Sequence, residues 1–295
     1  MKLDSFIEAE KTAGHSVQKT CGLFEVSRSA YYERRDGAPS ARQVSDAELL
    51  EKIKAIHAES KGTYGAPRIH QELLHRHIAC GKRKVTRLMR QAGLEGRCKK
   101  RWRKTTVADP AAEAARDLIQ RHFGPCTEMD RRYVGDITYI ATWEGWSYLA
   151  TVIDLASRRV VGWALADHMR TELVQDALTM AFANRAPQRG VIFHSDRGCQ
   201  YTSQVFAQLA RANGVVLSVG RKGECWDNAV AESFFATIKR ELIDTRAWPT
   251  RAGLRRGVFE YIEGWYNTRR LHSTLGYLSP AQYEAVHHNA DRQAA

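Results

Sequence analysis

The sequence predicts an α/β protein in which a mixed sheet follows small all-α units. Two observations predict this class. From residue 126 onward, three segments with strand-like alternation precede alternating helical and strand-like segments, a pattern typical of a mixed sheet covered by helices. Before residue 105 the apolar residues recur at helical spacing, and the chain is strongly basic. We therefore expect helical domains followed by a larger α/β domain.

The first third of the chain carries nearly all of the excess charge. The net charge is +12, and residues 1–105 contribute +11 of it, with 23 lysines and arginines against 12 acids. Eleven basic residues lie between positions 82 and 104, against one acid, Glu95. A cluster this dense indicates a polyanionic partner, with nucleic acid first. An acidic protein or a membrane surface is the alternative.

Residues 1–45 are predicted to form a helix-turn-helix-like region. Ser16 and Ser27 stand where N-caps would begin two short helices, and the second helix is basic. Many three-helix cores share this pattern, so the alternative of a plain helical core stays open. The segment 36–43, DGAPSARQ, is predicted to be a polar linker.

Residues 46–105 are predicted to form a basic helix-turn-helix domain that binds DNA. An amphipathic helix over 46–59, a second helix beginning near Pro67 and a third ending at Gly93 build it. The third helix has a basic face and a basic arm follows it, an arrangement suited to phosphates or a groove, although a solvated basic face would look the same. The candidate DNA contacts are Lys82, Lys84, Arg87 and Arg90 on the helix and Lys99, Lys100 and Arg101 in the arm.

The rest of the chain is predicted to be a linker over 106–125, a catalytic core with C-terminal helices over 126–285 and a tail over 286–295. The core contains five predicted strands and three predicted helices. The strands cover 132–142, 145–157, 158–166, 190–195 and 215–220, and the helices cover 170–185, 202–213 and 228–243.

The composition predicts a cytoplasmic protein. No apolar run approaches the roughly 18 residues of a membrane span, and the N-terminus MKLDSFIEAEK carries acids where a signal peptide would be apolar. The six cysteines contain no Cys-x-x-Cys pair, so free thiols are the simplest expectation. The cluster His70, His75, His77 and Cys80 fits no zinc spacing that we would expect to bind.

Three acids of the core stand at positions that predict a metal site. Asp136 lies inside an otherwise apolar strand, Asp196 directly follows a strand, and Glu232 lies on the last predicted helix. Three gathered carboxylates repel one another unless a divalent cation neutralises them, and oxygen ligands favour Mg²⁺ or Mn²⁺. Two such ions about 3.5–4 Å apart can drive phosphodiester displacement. Asp154 also ends a strand, but capping a turn is its expected role.

The segment ECWDNAVAESFFATIK places an amide, a carboxylate and an ammonium on one side of a helix. Asn228, Glu232 and Lys239 are four and seven residues apart, so they face the same direction at about 100° per residue. Taken alone, the segment is better explained by an exposed face with solvated charges.

Taken together, these motifs resemble a known family. GDITYI, FHSDRGCQYTS and WDNAVAESFFATIKREL are similar to the three motifs of the retroviral-integrase superfamily, and more narrowly to the OrfB-type transposases of the insertion-sequence-3 family. The 35 residues between Asp196 and Glu232 match that group's spacing, and Lys239 also fits its pattern. YNTRRLHSTLGYLSPAQYE resembles its C-terminal signature, and YGAPRIHQELL its helix-turn-helix segment. The likeness covers about residues 45–285.

The resemblance implies an RNase H-like core with helices on both faces and a DNA transposase that cleaves insertion-sequence ends and joins them to new DNA. It implies Asp136, Asp196 and Glu232 as catalytic metal ligands. Lys239 would hold DNA near the scissile phosphate, and Asn228 would steady Lys239 or the metal site. The expected partners are terminal repeats, target DNA, further copies of the chain and a first-frame (OrfA) product. A non-catalytic DNA-binding regulator and an RNase H-like nuclease that cannot join strands are the alternatives.

Two departures from the family and several motif residues need separate expectations. Tyr133 stands where the family usually has tryptophan. Residues 1–60 lack a sustained heptad repeat, which indicates that the chain relies on the first-frame product as a partner, or on a frameshifted fusion with it, to find the ends of the element. The motif residues that we expect to shape a turn, to pack or to reach DNA are Gly198, Tyr201, Ser203, His194, Arg269 and His272.

Overall fold

The first helical region is a three-helix unit with its own small core. The structure, a computed structural model, describes residues 3–36, 39–97, 128–196, 198–219 and 229–294. Buried Ile7, Cys21 and Tyr31 join the three helices. The backbone N–H of Ala30 donates to Ser27 Oγ at 3.3 Å, which confirms the second predicted cap. Ser16 precedes its helix without a capping bond, so that prediction was wrong. The helices are α1 (Leu3–Thr12), α2 (Val17–Leu23) and α3 (Arg28–Asp36).

The second helical unit begins earlier than its hydrophobic pattern indicated. Its first helix starts at Ala41, inside the segment that was predicted to be a linker, because Ser40 and Gln43 form a capping box. Ser40 Oγ accepts from the Gln43 backbone at 3.3 Å, and the Gln43 side chain accepts from the Ser40 backbone at 2.7 Å. Ile53, Leu73 and Val85 are fully buried between the helices. The unit consists of α4 (Ala41–Glu59), α5 (Ala66–His75) and α6 (Lys82–Gln91).

The core is a mixed five-stranded sheet in the order β3-β2-β1-β4-β5. The first three strands form an antiparallel meander, while β4 runs parallel to both β1 and β5. This arrangement confirms the predicted mixed sheet, and the predicted strands differ from the observed ones mainly at their ends. The strands are β1 (Arg132–Thr142), β2 (Gly145–Asp154), β3 (Val160–Ala166), β4 (Ile192–Ser195) and β5 (Val216–Val219).

Helices cover both faces of the sheet, because consecutive strand residues point to opposite sides. Val134 packs into a core under the last two helices of the domain, and its neighbour Tyr133 packs into a core on the other face. Tyr133, the departure from the family pattern, is completely buried there. The first face carries α9 (Ala229–Glu241) and α10 (Arg251–Tyr261), and the second carries α7 (Thr171–Arg185) and α8 (Gln204–Ala212).

The C-terminal segment fastens the second helical unit to the core. The Tyr64 hydroxyl accepts from the Leu271 N–H at 2.8 Å and donates to the Arg269 carbonyl at 3.2 Å. Arg68 Nε donates to the Leu271 carbonyl at 3.0 Å. A buried tyrosine and an arginine thus satisfy the backbone of one short stretch, which fixes the two domains relative to each other.

The last helix, α11 (Pro280–Ala294), is anchored to the core by charge. Glu284 Oε2 accepts from Arg159 at 2.7 Å and from Arg185 at 3.1 Å. The helix crosses residue 285, where the core was predicted to end. Among the described residues, no helix is long and apolar enough to cross a membrane.

Candidate active site

Asp136 lies on the central strand, beside the strand that carries the second acid. It pairs with Thr151 of β2, and its Oδ1 accepts from the backbone N–H of Ile137 at 2.8 Å. The residue before it must be small, because a Cβ on Gly135 would lie 2.2 Å from the ring of Phe193. The Gly-Asp pair therefore combines a close approach between β1 and β4 with a carboxylate at the same point.

Asp196 directly follows β4, and the strand register brings it beside Asp136. The strands are parallel, with Val134 paired to His194. Two residues further along each strand stand Asp136 and Asp196, so their backbones are neighbours where β4 ends. Asp196 Oδ1 accepts from the Gly198 N–H at 3.0 Å, which holds the carboxylate in a tight turn.

Glu232 and Lys239 lie on α9, on the same side of the sheet as Asp136. Ile238 of this helix is fully buried in the core that contains Val134. Asp136 is two residues from Val134 and shares its side of the strand, so its carboxylate faces α9. Glu232 is in the first turn of the helix and is exposed.

Lys239 lies at the edge of this acidic group. Its Nζ is 5.2 Å from the centre of the exposed Tyr139 ring, a cation–π contact. Its positive charge also acts on Asp136 and lowers the pKa of that carboxyl. Lys239 therefore lies close enough to Asp136 for its charge to act on that carboxyl.

The three acids interact electrostatically. Burial is the largest cause that raises the pKa of Asp136 to about 7, and the charges of Asp196 and Glu232 raise it further. The N–H of Ile137 and the charge of Lys239 act in the opposite direction without cancelling the effect. Although Glu232 is exposed, partial desolvation by the surrounding protein also raises the pKa of its carboxyl. Ionisation of these carboxyl groups is therefore unfavourable, which is typical of carboxylates that bind a cation or transfer protons.

Tyr201 is buried close enough to Asp136 and Asp196 to feel their charge, a position that the sequence did not reveal. It was expected only to shape the turn, but it is 4% exposed and its ring packs against Phe193 and Phe206 at 5.9 and 5.6 Å. Burial raises its pKa well above the ordinary value, and the charges of Asp136 and Asp196 add to this effect. The aromatic residues on either side of the second motif were the signal that could have predicted this packing.

The three carboxylates are suitable ligands for a hard divalent cation, but their side chains are too far apart to bind one ion together. Asp136, Asp196 and Glu232 offer only carboxylate oxygens, which are ligands that Mg²⁺ prefers. Among the described residues, no three acidic, histidine or cysteine side chains stand close enough together to hold one ion. The acids thus share an electrostatic environment without yet converging on a single point.

The predicted DNA contacts of α6 separate into two kinds. Lys84 and Arg87 form ion pairs with Asp46 of α4 at 2.9 and 2.6 Å. Lys82 and Arg90, in contrast, are exposed on the same helix. The remaining predicted positions, Lys99, Lys100, Arg101 and Asn228, lie outside the described residues.

The motif residues with open expectations take mainly structural positions. His194 is fully buried, with its Nδ1 2.9 Å from Ser218 Oγ, and Ser203 Oγ accepts from the Phe206 N–H at 3.2 Å to cap α8. His272 is buried and Arg269 is exposed.

Asp154 is buried in the turn after β2. It accepts from the backbone of Ala156 and Asp130 at 2.9 and 3.2 Å, which is the capping role expected of it.

Family models match most of the described core. The model described as an integrase core domain matches residues 127–225, a second integrase core domain model matches 213–280, and an HTH-like domain model matches 44–102.

Curated relatives match the chain over nearly their full length. Transposase InsF for insertion sequence IS3A of Escherichia coli K12 is 38% identical over 285 residues, covering 95% of this chain and 97% of the relative. The transposase for insertion sequence element IS904 of Lactococcus lactis is 41% identical over 246 residues, covering 83% and 97%.

Among solved structures, the catalytic core domain of HTLV-2 integrase in complex with magnesium aligns with 52% of this chain and 96% of its own, at 15% identity and a TM-score of 0.40. At that level, the likeness supports no conclusion about this chain's site.

Proposed function

Because this chain belongs to the insertion-sequence transposases that share an integrase core, we propose that Asp136, Asp196 and Glu232 are its catalytic carboxylates. The observation that carries this assignment is the electrostatic coupling of Asp136 to both other acids at the end of β4. The charges of Asp196 and Glu232 add to the effect of burial and raise the pKa of Asp136 to about 7, and a bound cation would relieve that repulsion.

The three carboxylates would hold Mg²⁺, for which Mn²⁺ can substitute. Two divalent cations bound there would activate an attacking oxygen and stabilise the leaving one. The protein's own part is to place hard oxygen donors on rigid elements. Asp136 is fixed by the sheet, Asp196 by its turn and Glu232 by a helix whose apolar face is buried.

Lys239 is proposed to hold a DNA phosphate beside the acids. It lies on the same face of α9 as Glu232, and its ammonium is close enough to Asp136 to act on that carboxyl. Asn228 would support Lys239 or the carboxylates from the residue just before α9. The negative phosphates of a DNA duplex would be attracted to this ammonium, while the carboxylates stay available for metal ions.

The DNA itself is proposed to bind along the helical unit and its basic arm. The exposed Lys82 and Arg90 are free to reach phosphates directly, while Lys84 and Arg87 would have to exchange Asp46 for DNA. Lys99, Lys100 and Arg101 would follow the backbone. Such contacts give affinity that falls steeply with salt.

The proposed reaction is cleavage at the insertion-sequence ends, which frees a 3′-hydroxyl, followed by attack of that hydroxyl on a second phosphodiester. In the first step a water oxygen replaces the 3′-oxygen on phosphorus, and in the second the freed 3′-hydroxyl replaces an oxygen of another phosphodiester. Because metal ions would activate these nucleophiles, no covalent protein–DNA bond is required. We expect the protein to act as a homo-oligomer on DNA in the bacterial cytosol, at the nucleoid, together with a first-frame (OrfA) product.

An oligonucleotide assay tests this function. With duplexes that carry an end of the element, Asp196→Asn and Glu232→Gln should abolish magnesium-dependent cleavage and strand transfer while duplex binding survives. Asp176→Asn and Glu260→Gln are matched controls, because both acids are exposed on other helices. Retained cleavage in the first pair would refute the assignment. Cleavage without joined products would indicate a nuclease, and binding without cleavage in the wild type would indicate a regulator.

A further inference from the structure

A second site lies on another flank of the helix that carries Glu232. A cleft of about 630 Å³ is lined by Ser233, Thr237 and Arg240 of α9. These residues are about 80–140° around the helix from Glu232, at about 100° per residue. The cleft is therefore beside the acidic site without being part of it.

The described residues that line this cleft are strongly basic, and both domains contribute to them. The helical unit supplies two arginines and the core supplies three, against one carboxylate, Glu241. The arginines are Arg68, Arg97, Arg158, Arg240 and Arg270. We call this site the arginine cleft.

The single carboxylate is already used. Arg270 donates to both oxygens of Glu241, at 2.8 Å from Nη2 and 3.0 Å from Nε, and the Tyr261 hydroxyl donates to it at 2.8 Å. Arg68 and Arg97 donate to backbone carbonyls, those of Leu271 and Arg240, which carry no net charge. The arginine cleft thus keeps an excess of positive charge that its own acid does not offset.

Two nitrogen atoms of the arginine cleft are buried without a hydrogen-bond partner among the residues that the structure describes. They are Nε of Arg240 and Nε2 of His272, and both residues line the cleft. His272 is only 9% exposed. Burial, and then the charges of Arg270, Arg68 and Arg158, lower its pKa well below the ordinary value, so the ring is neutral. Buried nitrogens without partners are costly, which indicates that a ligand completes them.

The missing partner must be an anion with several acceptor oxygens. Guanidinium groups bind phosphate oxygens through two parallel N–H bonds, and a neutral imidazole that carries its proton on Nε2 can add one more. The five arginines that line the described part of the cleft against one acid favour an anionic ligand. It also spans the seam between the helical unit and the core, where DNA held by one domain would pass to the other.

We propose that the arginine cleft binds the phosphodiester backbone of a DNA strand and guides that strand past α9 toward the carboxylates. The identity of the anion as DNA rests on the proposed function, whereas the cleft's demand for an anion does not. His272 and Arg240 donate to phosphate oxygens, and Arg97 at the exposed mouth extends the contact.

Salt-dependent DNA binding tests this site. Arg97→Gln combined with Arg240→Gln removes two charges, and duplex binding is followed by anisotropy in EDTA over a series of NaCl concentrations. The slope of log Kd against log[NaCl] should fall by about 2, since each lost phosphate contact removes about 1. Arg189→Gln combined with Arg211→Gln is the matched control, because both arginines are exposed and do not line the cleft. Its slope should equal that of the wild type.

Thermal melting in sodium sulfate keeps the result unambiguous. The double cleft variant should melt as a folded protein, and dilute sodium sulfate should raise its melting temperature less than that of the wild type, because the general stabilisation by sulfate is common to both proteins. An unchanged DNA slope in a folded variant would overturn the proposal, and a weaker sulfate effect in the variant with that unchanged slope would assign the cleft to a small anion or an acidic protein segment. If the cleft variant has a reduced slope but the wild type does not cleave DNA, only the catalytic assignment is refuted. If the wild type cleaves DNA but the cleft variant has an unchanged slope, only the cleft proposal is refuted.

Discussion

Helix α9 separates an acidic region on one flank from a basic region on the other. On one flank, Asp136 is near Asp196 and Glu232, and burial and their repulsion raise its pKa to about 7. On the other flank, the described residues of the arginine cleft include five arginines and one acid. The first region has uncompensated negative charge, and the second has uncompensated positive charge. The comparison shows that this protein leaves charge unbalanced at the two places where a cation and a polyanion would complete it.

One ion pair within the arginine cleft is balanced, and it joins Glu241 at the end of α9 to Arg270. Glu241 and Arg270 form a bidentate pair whose side chains are 2% and 7% exposed. Burial alone would raise the pKa of Glu241, but hydrogen bonds and charge from Arg270 lower it overall. Charges that serve structure are therefore matched here, which makes the unmatched groups on either side more informative.

The largest expected effect is the loss of catalysis in Asp136→Asn. Losing a ligand of the acidic site removes several kcal/mol of transition-state stabilisation, which corresponds to about 10³-fold in cleavage rate. Cleavage of an end duplex in Mg²⁺ measures it, with Asp176→Asn as the control. A rate within a few-fold of the wild type would show that the acidic flank is not the reaction centre.

The next effect is structural and concerns the matched pair. Glu241→Ala leaves Arg270 buried without its partner and should lower the free energy of unfolding by about 3–5 kcal/mol. Urea denaturation measures the change. Glu263→Ala is a useful comparison, because Glu263 is less buried and accepts only from Trp163 at 3.0 Å and Asn267 at 3.4 Å. An equal loss in both would mean that the buried pair has no special role.

A smaller effect concerns stability without metal and its dependence on pH. The pKa of Asp136 is about 7 in the folded protein, against about 3.9 in an unfolded chain. The folded state therefore binds the proton more tightly, and stability falls as pH rises through 7. In EDTA at pH 8, Asp136→Asn should melt above the wild type, and the difference should shrink as pH falls toward 4. Mg²⁺ should stabilise only the wild type. A variant that melts lower at pH 8 would contradict this.

The smallest effect concerns the basic face of α6. Lys82→Ala with Arg90→Ala should reduce the salt slope of DNA binding by about 2 and leave stability unchanged, because both residues are exposed. Lys84→Ala with Arg87→Ala should instead lower stability, since it strips Asp46 of two partners. Anisotropy and thermal melting separate the two pairs. Identical behaviour would show that the pairing with Asp46 does not matter.

The order of strands and helices in the core could be predicted because alternation is a local signal. The strand around Asp136 and the helix of Glu232 followed from spacing, and strand ends were the main errors. The start of α4 was missed because Ser40 and Gln43 stand in a segment of turn-like composition, where a capping box is easily read as a linker. The burial of Tyr201 was missed because its motif was interpreted as a turn, although Phe193 and Phe206, against which it packs, are nearby in the sequence.

The arginine cleft could not be predicted, because its residues come from distant parts of the chain. Arg68, Arg158 and Arg270 each stand in a different local pattern, and only the docking of the helical unit on the core gathers them. Likewise, nothing near Lys84 predicts its pairing with Asp46, which is 38 positions earlier in the chain. Charge density predicted a polyanionic partner, but the contacts between domains decide which cations remain available for it.

The division of labour across α9 is tested most directly by single-turnover cleavage as a function of protein concentration. We expect Glu232→Gln to stay at least about 10³-fold slower than the wild type at every concentration, because it lacks transition-state stabilisation. Arg97→Gln combined with Arg240→Gln should also cleave slowly at low concentration, but its rate should climb toward the wild-type plateau as protein is added, because it lacks binding. A plateau as low as that of Glu232→Gln, or a Glu232→Gln rate that recovers with concentration, would contradict the separation of the two flanks.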